Sequence, residues 1–246
     1  MPVISLCGIV TRYVNYRESD RIISILTAER GRVDAKARGC LRATSPLLPG
    51  VQPFAYGRYA LYQGRDKFTV NQCETLESFY PIREDYRRFS AASAALQLAH
   101  EAAQENQRSD ALFSLLYHSL SFLAYGAAEP MDLLCCYLIR YLNVCGYRPS
   151  ITTCARCARD IRGDAVLRFS PAAGGVICAG CGGGETISKT ALEAMRRMLL
   201  LNDDEMDRVR LSAPIRQELL ARLCDYLAAS LEYGPRALMH LDLSAV

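Results

Sequence analysis

Over its first third the chain alternates apolar and polar positions with a period of two. Runs rich in Val, Ile, Tyr and Phe occupy about 3–14, 21–27, 31–38, 53–62 and 67–76, and this alternation predicts strands half-buried on one face. Arg30-Gly31 and Gly64-Arg65-Asp66 are placed as hairpin turns, because glycine reaches the positive φ that tight turns often need. The connection 39–52 carries Pro46, Pro49 and Gly50 and cannot extend either neighbouring strand. Five antiparallel strands with one longer excursion after the third fit a small closed barrel of the OB type, a closure that leaves no exposed sheet edge.

From about Ile82 the period changes to that of helices. Residues 83–105 are alanine-rich, and Leu112, Leu115, Leu116, Leu120 and Leu123 recur at helical spacing behind a candidate cap at Ser109. Leu134, Leu138, Tyr141, Leu142 and Cys145 repeat the stripe until Gly146 and Pro149 end it. Two further stripes, Leu192-Met195-Leu199 and Ile215-Leu219-Leu223-Leu227, follow a glycine-rich, cysteine-bearing segment. Apolar stripes on several helices must bury against one another. The expected architecture is therefore an α+β chain of several domains: a five-stranded OB-type barrel at 1–80, an α-helical bundle at 81–150 and 185–246, and a cysteine-bearing insert at 151–184.

The insert holds the sharpest motif. Cys154-Ala155-Arg156-Cys157 and Cys178-Ala179-Gly180-Cys181 are two CxxC pairs, a spacing that suits one four-cysteine structural zinc site. The stretch Val166 to Ile177 between them reads as a hairpin that returns the second pair to the first. Gly180 and Gly182 suit tight turns beside sulfur. A disulfide framework fits less well without a secretory route, and a redox CxxC wants a single pair in a strand-to-helix context. Four cysteine ligands leave no open position for catalytic water. Of the other seven cysteines, Cys135, Cys136, Cys145 and Cys224 lie in apolar helical runs and read as small hydrophobes, while Cys7, Cys40 and Cys73 show no ligand spacing.

Composition narrows the class. Half of the 246 residues are hydrophobic and 22% are charged, which excludes a disordered or fibrous chain. The start Val3 to Val10 lacks a basic lead and meets Arg12, and no run approaches about 18 apolar residues, so a soluble, cytoplasmic protein without a membrane partner is expected. The formal net charge of +3 is unevenly spread: residues 1–73 carry 11 basic against 5 acidic side chains, residues 74–246 carry 18 against 21. Counting four thiolates and a zinc ion brings the whole nearer +1 and leaves the excess on the first third.

Enzyme signatures are absent: there is no GxxxxGK[ST], GxGxxG, GxSxG or HExxH. His100 and His118 fall in helical stretches as packed or solvated groups, and Asp203-Asp204-Glu205 reads as a solvated loop. The basic module offers more. Arg12, Arg17, Arg21, Arg30, Arg32, Lys36, Arg38 and Arg42 concentrate in the first three strands and their loops, with Tyr13, Tyr16, Tyr56, Tyr59 and Tyr62 interspersed. On an OB barrel such groups supply phosphate contacts and stacking platforms for single-stranded nucleic acid, although charges and tyrosines also suit the polar faces of ordinary strands.

Several motifs of the barrel stand out: Tyr16-Arg17-Glu18-Ser19-Asp20-Arg21-Ile22, Leu26 to Arg32, Gln52-Pro53-Phe54, Leu61-Tyr62-Gln63-Gly64-Arg65, and Glu77-Ser78-Phe79 followed by Arg83-Glu84-Asp85. Downstream come Phe169-Ser170-Pro171 to Val176, Cys178 to Cys181, and Ile187-Ser188. In this order, over nearly the whole chain, they resemble the RecO family of bacterial recombination mediators. The resemblance implies a non-enzymatic DNA repair and recombination mediator that binds single- and double-stranded DNA and anneals complementary strands. It also implies cooperation with RecR to load RecA onto strands coated by single-stranded DNA-binding protein (SSB), contact with the SSB tail, and a nucleoid-associated place in the cytoplasm.

Two departures stand out. After Arg38-Gly39-Cys40-Leu41-Arg42 the loop continues as Ala43 to Pro49 instead of a basic run. Ala158 follows the first CxxC where glycine is common, which is tolerable if the backbone there avoids positive φ. The competing expectation is a zinc-stabilised protein-interaction adaptor that does not touch DNA.

Overall fold

A computed structural model describes residues 2–64, 67–231 and 238. Arg65 and Asp66 of the second expected turn, and His240, lie outside the described residues. Five strands, β1 (Val3–Tyr16), β2 (Asp20–Thr27), β3 (Gly31–Ala37), β4 (Tyr56–Gln63) and β5 (Phe68–Glu77), close into a barrel in the order β1-β2-β3-β5-β4. Closure depends on the length of β1. Its first half pairs with β4 (Val3↔Tyr62 to Ile9↔Tyr56) and its second with β2 (Ile9↔Leu26 to Tyr16↔Asp20), with a bulge between Val10 and Arg12 that turns the strand. A short parallel contact, Ala35↔Phe68 and Lys36↔Thr69, seals the opposite side.

The period of two sets what fills the barrel. Leu6, Val10, Ile23, Ile25, Val33, Ala35, Val51, Tyr59, Leu61 and Val70 point inward as one buried cluster. Tyr59 belongs to this core, fully buried with its hydroxyl donating to Gly50 O at 2.8 Å, so it is no stacking platform. Tyr56 packs edge-on against Tyr117, 5.2 Å between centroids.

Five helices follow: α1 (Tyr86–Ala102), α2 (Asp110–Tyr125), α3 (Pro130–Val144), α4 (Lys189–Leu200) and α5 (Ala213–Ser230). Asp85 caps α1 by accepting from Arg88 N at 2.8 Å, and Ser188 caps α4 by accepting from Ala191 N at 3.1 Å. Ser109 precedes α2, but its hydroxyl donates to Gln107 O and does not cap. Alanines at 91, 92, 94, 95 and 99 give α1 a thin face, over which the buried Tyr137 and Tyr141 of α3 reach the Ala95 and Leu98 carbonyls. The acidic run at 203–205 is not a solvated loop. It starts a 3-10 helix, Asp203–Arg208, and Asp203 pairs with Arg140 while accepting from Ser114 Oγ at 2.6 Å. Arg140, on a nearly buried helix, requires that counter-charge.

Barrel and helices share apolar packing. Ile9, Leu26 and Phe54 belong to the core of the helices, not to that of the barrel. The β2–β3 hairpin is also fastened by backbone: Arg32 N donates to Gln104 O at 3.1 Å and Ser109 N to Ala28 O at 2.8 Å. Gly31, at φ +64°, makes this approach possible, since a Cβ there would sit 2.1 Å from Gln104 O.

Candidate metal centre and nucleic-acid interface

The insert is built on a hairpin of β6 (Leu167–Ser170) and β7 (Gly175–Cys178), with β8 (Glu185–Thr186) paired to β6. Ser170 Oγ accepts from Ala173 N, and Gly174 takes the left-handed conformation, so the chain reverses within four residues. That reversal carries Cys178 back to the first CxxC turn. All four cysteine sulfurs lie within 4.8 Å of one another, with Cys154–Cys181 and Cys157–Cys178 each at 3.8 Å. Sulfurs about 2.3 Å from a tetrahedral ion are spaced about 3.8 Å apart, so the cluster fits a metal of that geometry.

Backbone N–H groups of Cys178 and Cys157 hold the Cys154 thiol down to about 6, and Arg159 lowers Cys178 by hydrogen bonding its sulfur. Hydrogen bonding to the Cys178, Cys157 and Cys154 sulfurs pushes Cys181 up to about 12. Without a cation, four neighbouring sulfurs cannot all ionise, and Cys181 is the one that holds its proton most firmly; a bound metal takes the place of that proton. Arg159 also pairs with Asp164 at 2.6 Å. Sequence spacing found the four cysteines and carried no signal for Arg159. Ala158 adopts positive φ, +60°, so the condition under which alanine is unstrained there is not met; its N–H closes the turn onto the Cys154 carbonyl at 2.8 Å. Gly182 has a positive φ of +61° with an extended ψ, a conformation open to glycine but not the tight turn expected of it, and Gly180 is not among the glycines of positive φ.

On the barrel the candidate cations divide into groups. At the β1–β2 turn the Arg21 guanidinium lies over the Tyr13 ring, 3.9 Å from its centroid, while Lys36 Nζ and Arg17 lie over Tyr16 at 4.4 and 5.4 Å. Tyr13 and Tyr16 remain 39% and 40% exposed. Lys36 is also paired to Asp20 at 3.0 Å, and Gly39 N–H and Lys36 hold the Asp20 carboxyl below its usual range. Arg21 is buried, donating to Asn15 Oδ1, Val51 O and Gln52 Oε1.

The exposed Arg38 and Arg42 line an adjacent cleft with Asn71, Gln72 and Glu74. Arg30 and Arg32 sit at the far end of the hairpin, about 20 Å away at ~3.3 Å per residue, and Arg32 faces Glu105 at 3.5 Å. Arg12, on the outward side of the bulge, is exposed. The structure thus gathers Arg17, Arg21 and Lys36 around two tyrosines, places Arg12 beside Tyr13 in the groove between β1 and α1, and leaves Arg30 and Arg32 at the far end of the hairpin.

Residues 1–79 match the family model of the N-terminal domain of recombination protein O, and residues 83–239 match that of its C-terminal domain. The chain belongs to the RecO family. It is 33% identical to a DNA repair protein RecO of Symbiobacterium thermophilum over 247 residues, covering 98% of both chains. A DNA repair protein RecO of Alkaliphilus metalliredigens is 32% identical, with 92% of each chain covered, and one of Moorella thermoacetica 30% identical over 92% of this chain and 84% of that one. RecO proteins are recombination mediators, not enzymes. Among the described residues, no helix of this RecO chain is long and apolar enough to cross a membrane.

Proposed function

We propose that this chain binds single- and double-stranded DNA, anneals complementary strands and, with RecR, helps to load RecA onto SSB-coated single strands in the bacterial cytoplasm. The observation that carries this reading is the set of cation–aromatic pairs at Tyr13 and Tyr16, on the barrel of a chain with RecO ancestry. Annealing needs two polyanions held close. Guanidinium and ammonium groups lower their mutual repulsion, and stacking on a tyrosine face, sequence-tolerant and weaker than a paired duplex, is surrendered when complementary bases meet. The contacts are assigned to Arg12, Arg17, Arg30, Arg32, Lys36, Arg38 and Arg42, with the buried Arg21 backing the exposed Tyr13 ring, within a division into 1–80 for DNA, 81–150 with 185–246 for partner proteins, and a 151–184 insert.

The metal assigned to Cys154, Cys157, Cys178 and Cys181 is zinc, one ion per chain, because four thiolates at tetrahedral spacing suit it and leave no open position. When bound, it supplies the folding energy that a glycine-rich insert lacks. Metal analysis of purified protein is expected to give one zinc per chain, and Cys157→Ser to lower that number.

The decisive experiment is annealing of complementary strands pre-coated with SSB, with and without this protein. Acceleration supports the reading. Unchanged annealing, with no salt-sensitive oligonucleotide binding, favours an adaptor that recruits the SSB tail or RecR through its helices; Leu200, 82% exposed on α4, is the observation on that side.

A further inference from the structure

Between β1 and one face of α1 runs a groove of about 630 Å³ that the DNA reading has not used. Phe89, Ser93, Leu96, Gln97 and His100 project into it from α1, a span of about 16 Å at ~1.5 Å per residue. Its ends are fixed by contacts. At one, Phe54 meets Phe89 edge-on at 5.8 Å and carries the Arg83 guanidinium 5.4 Å from its ring centre. At the other, His100 Nδ1 lies 3.1 Å from Thr11 Oγ1, beside Arg12.

We propose that this groove is a stacking pocket for an unpaired nucleobase, with Phe89 and Tyr13 as the aromatic surfaces and Arg12 and Arg83 as phosphate contacts at either end. The inference rests on the DNA-binding reading above and adds to it a site outside the Tyr16 face. Three observations select a base over other occupants. The available walls are aromatic and planar, with Phe89 and Tyr13 44% and 39% exposed, which matches the π-face common to every base. Polar groups of Ser93, Gln97 and His100 line the same wall, as the hydrogen-bonding edge of a base requires. Finally, Tyr13 belongs both to this groove and to the Arg21 pair, so a strand crossing the barrel face continues into it.

Arg83 also ties down the chain, donating to Ser78 O at 3.0 Å and Pro53 O at 2.6 Å. The test therefore targets Phe89, whose side chain is exposed on α1.

Full-length, zinc-loaded protein is titrated with a single-stranded oligonucleotide carrying one 2-aminopurine, with the matching duplex, and with a labelled acidic peptide ending in Phe. Wild type is expected to quench the 2-aminopurine. Phe89→Ala should lose the quench and bind the single strand roughly fivefold to a hundredfold more weakly, with duplex affinity unchanged. Phe89→Leu, which keeps an apolar side chain on a helix of unchanged circular dichroism, should behave like Phe89→Ala. Oligonucleotide binding that survives both substitutions with the quench intact overturns the pocket while leaving the DNA reading standing. Absence of oligonucleotide binding by wild type overturns both. If only peptide affinity falls, the groove is a peptide site and the proposal is wrong.

Discussion

Arg21 and Tyr13 form one stacked pair at the mouth of the barrel, 3.9 Å from guanidinium to ring centre, yet only the tyrosine is open to solvent. Arg21 spends its donors on Asn15, Gln52 and the Val51 carbonyl. Its removal is therefore expected to act first on the barrel. Arg21→Ala should cost about 2 kcal/mol in urea denaturation, from the loss of several partly buried hydrogen bonds. Exposed Arg17 tests DNA contact more cleanly: Arg17→Glu should shift stability by less than about 0.5 kcal/mol. It should also flatten the slope of log affinity against log salt for single strands by about 0.7. An unchanged slope would remove Arg17 from the interface.

Ala158 is an L-residue held at φ +60° in an exposed position. Left-handed backbone costs an alanine about 1–2 kcal/mol, and glycine gives back part of that gain through greater freedom in the unfolded chain. Ala158→Gly is expected to stabilise the zinc-loaded insert by about 0.5–1 kcal/mol, read as slower zinc loss to a chelator. Faster loss would contradict the conformation assigned to this turn.

Asp132 is 1% exposed, accepts from Arg216 Nε at 2.6 Å and from Leu211 N at 3.0 Å, and so ties α3 to the start of α5. Asp132→Ala leaves the Arg216 charge without its partner, and should cost about 3–5 kcal/mol. Replacing both residues with apolar ones of similar volume should recover much of the loss. Equal destabilisation by the single and double variants would show that the pair is not the cause.

Burial, with Arg32 and Arg12 nearby, lowers the His100 imidazole below its usual 6.5. As pH falls through about 6.5 the unfolded chain takes up a proton before the folded one, so stability declines with acidification until the folded-state value is passed. Above that range His100 contributes no slope. Comparing urea midpoints at pH near 7.5 and near 5.5, His100→Gln should show a smaller acid loss than wild type; an identical loss would place the titrating group elsewhere.

Much of this was legible in the chain. Strict alternation in β3 marked the barrel, and Ile23 and Ile25 of β2 join Val33 and Ala35 on its inner face; β2 itself is buried continuously from Ile23 to Thr27, because Leu26 on its other face packs against the helices. The CxxC pairs were legible because two ligands on one turn need a fixed separation. The inward position of Arg21 was also encoded, since it shares the parity of Ile23 and Ile25, while Ile22 takes the outer face at 36% exposure; a charged side chain simply masked the pattern. The Asp203–Arg140 pair was not readable, as its partners are 63 residues apart and meet only where the 203–208 3-10 helix packs against α2 and α3. Nor was the groove at Phe89, which exists only once α1 is laid along β1.

The backbone fastening at Gly31 has a consequence for how the molecule comes apart. A barrel hung from a flexible linker would melt by itself, as an independent unit. Here the hairpin shares main-chain hydrogen bonds with the α1–α2 connection, and Ile9, Leu26 and Phe54 are buried against helices. Opening the barrel strips the helices of part of their core, so barrel and helices are expected to unfold together, as one transition in urea, where a tethered barrel would give two.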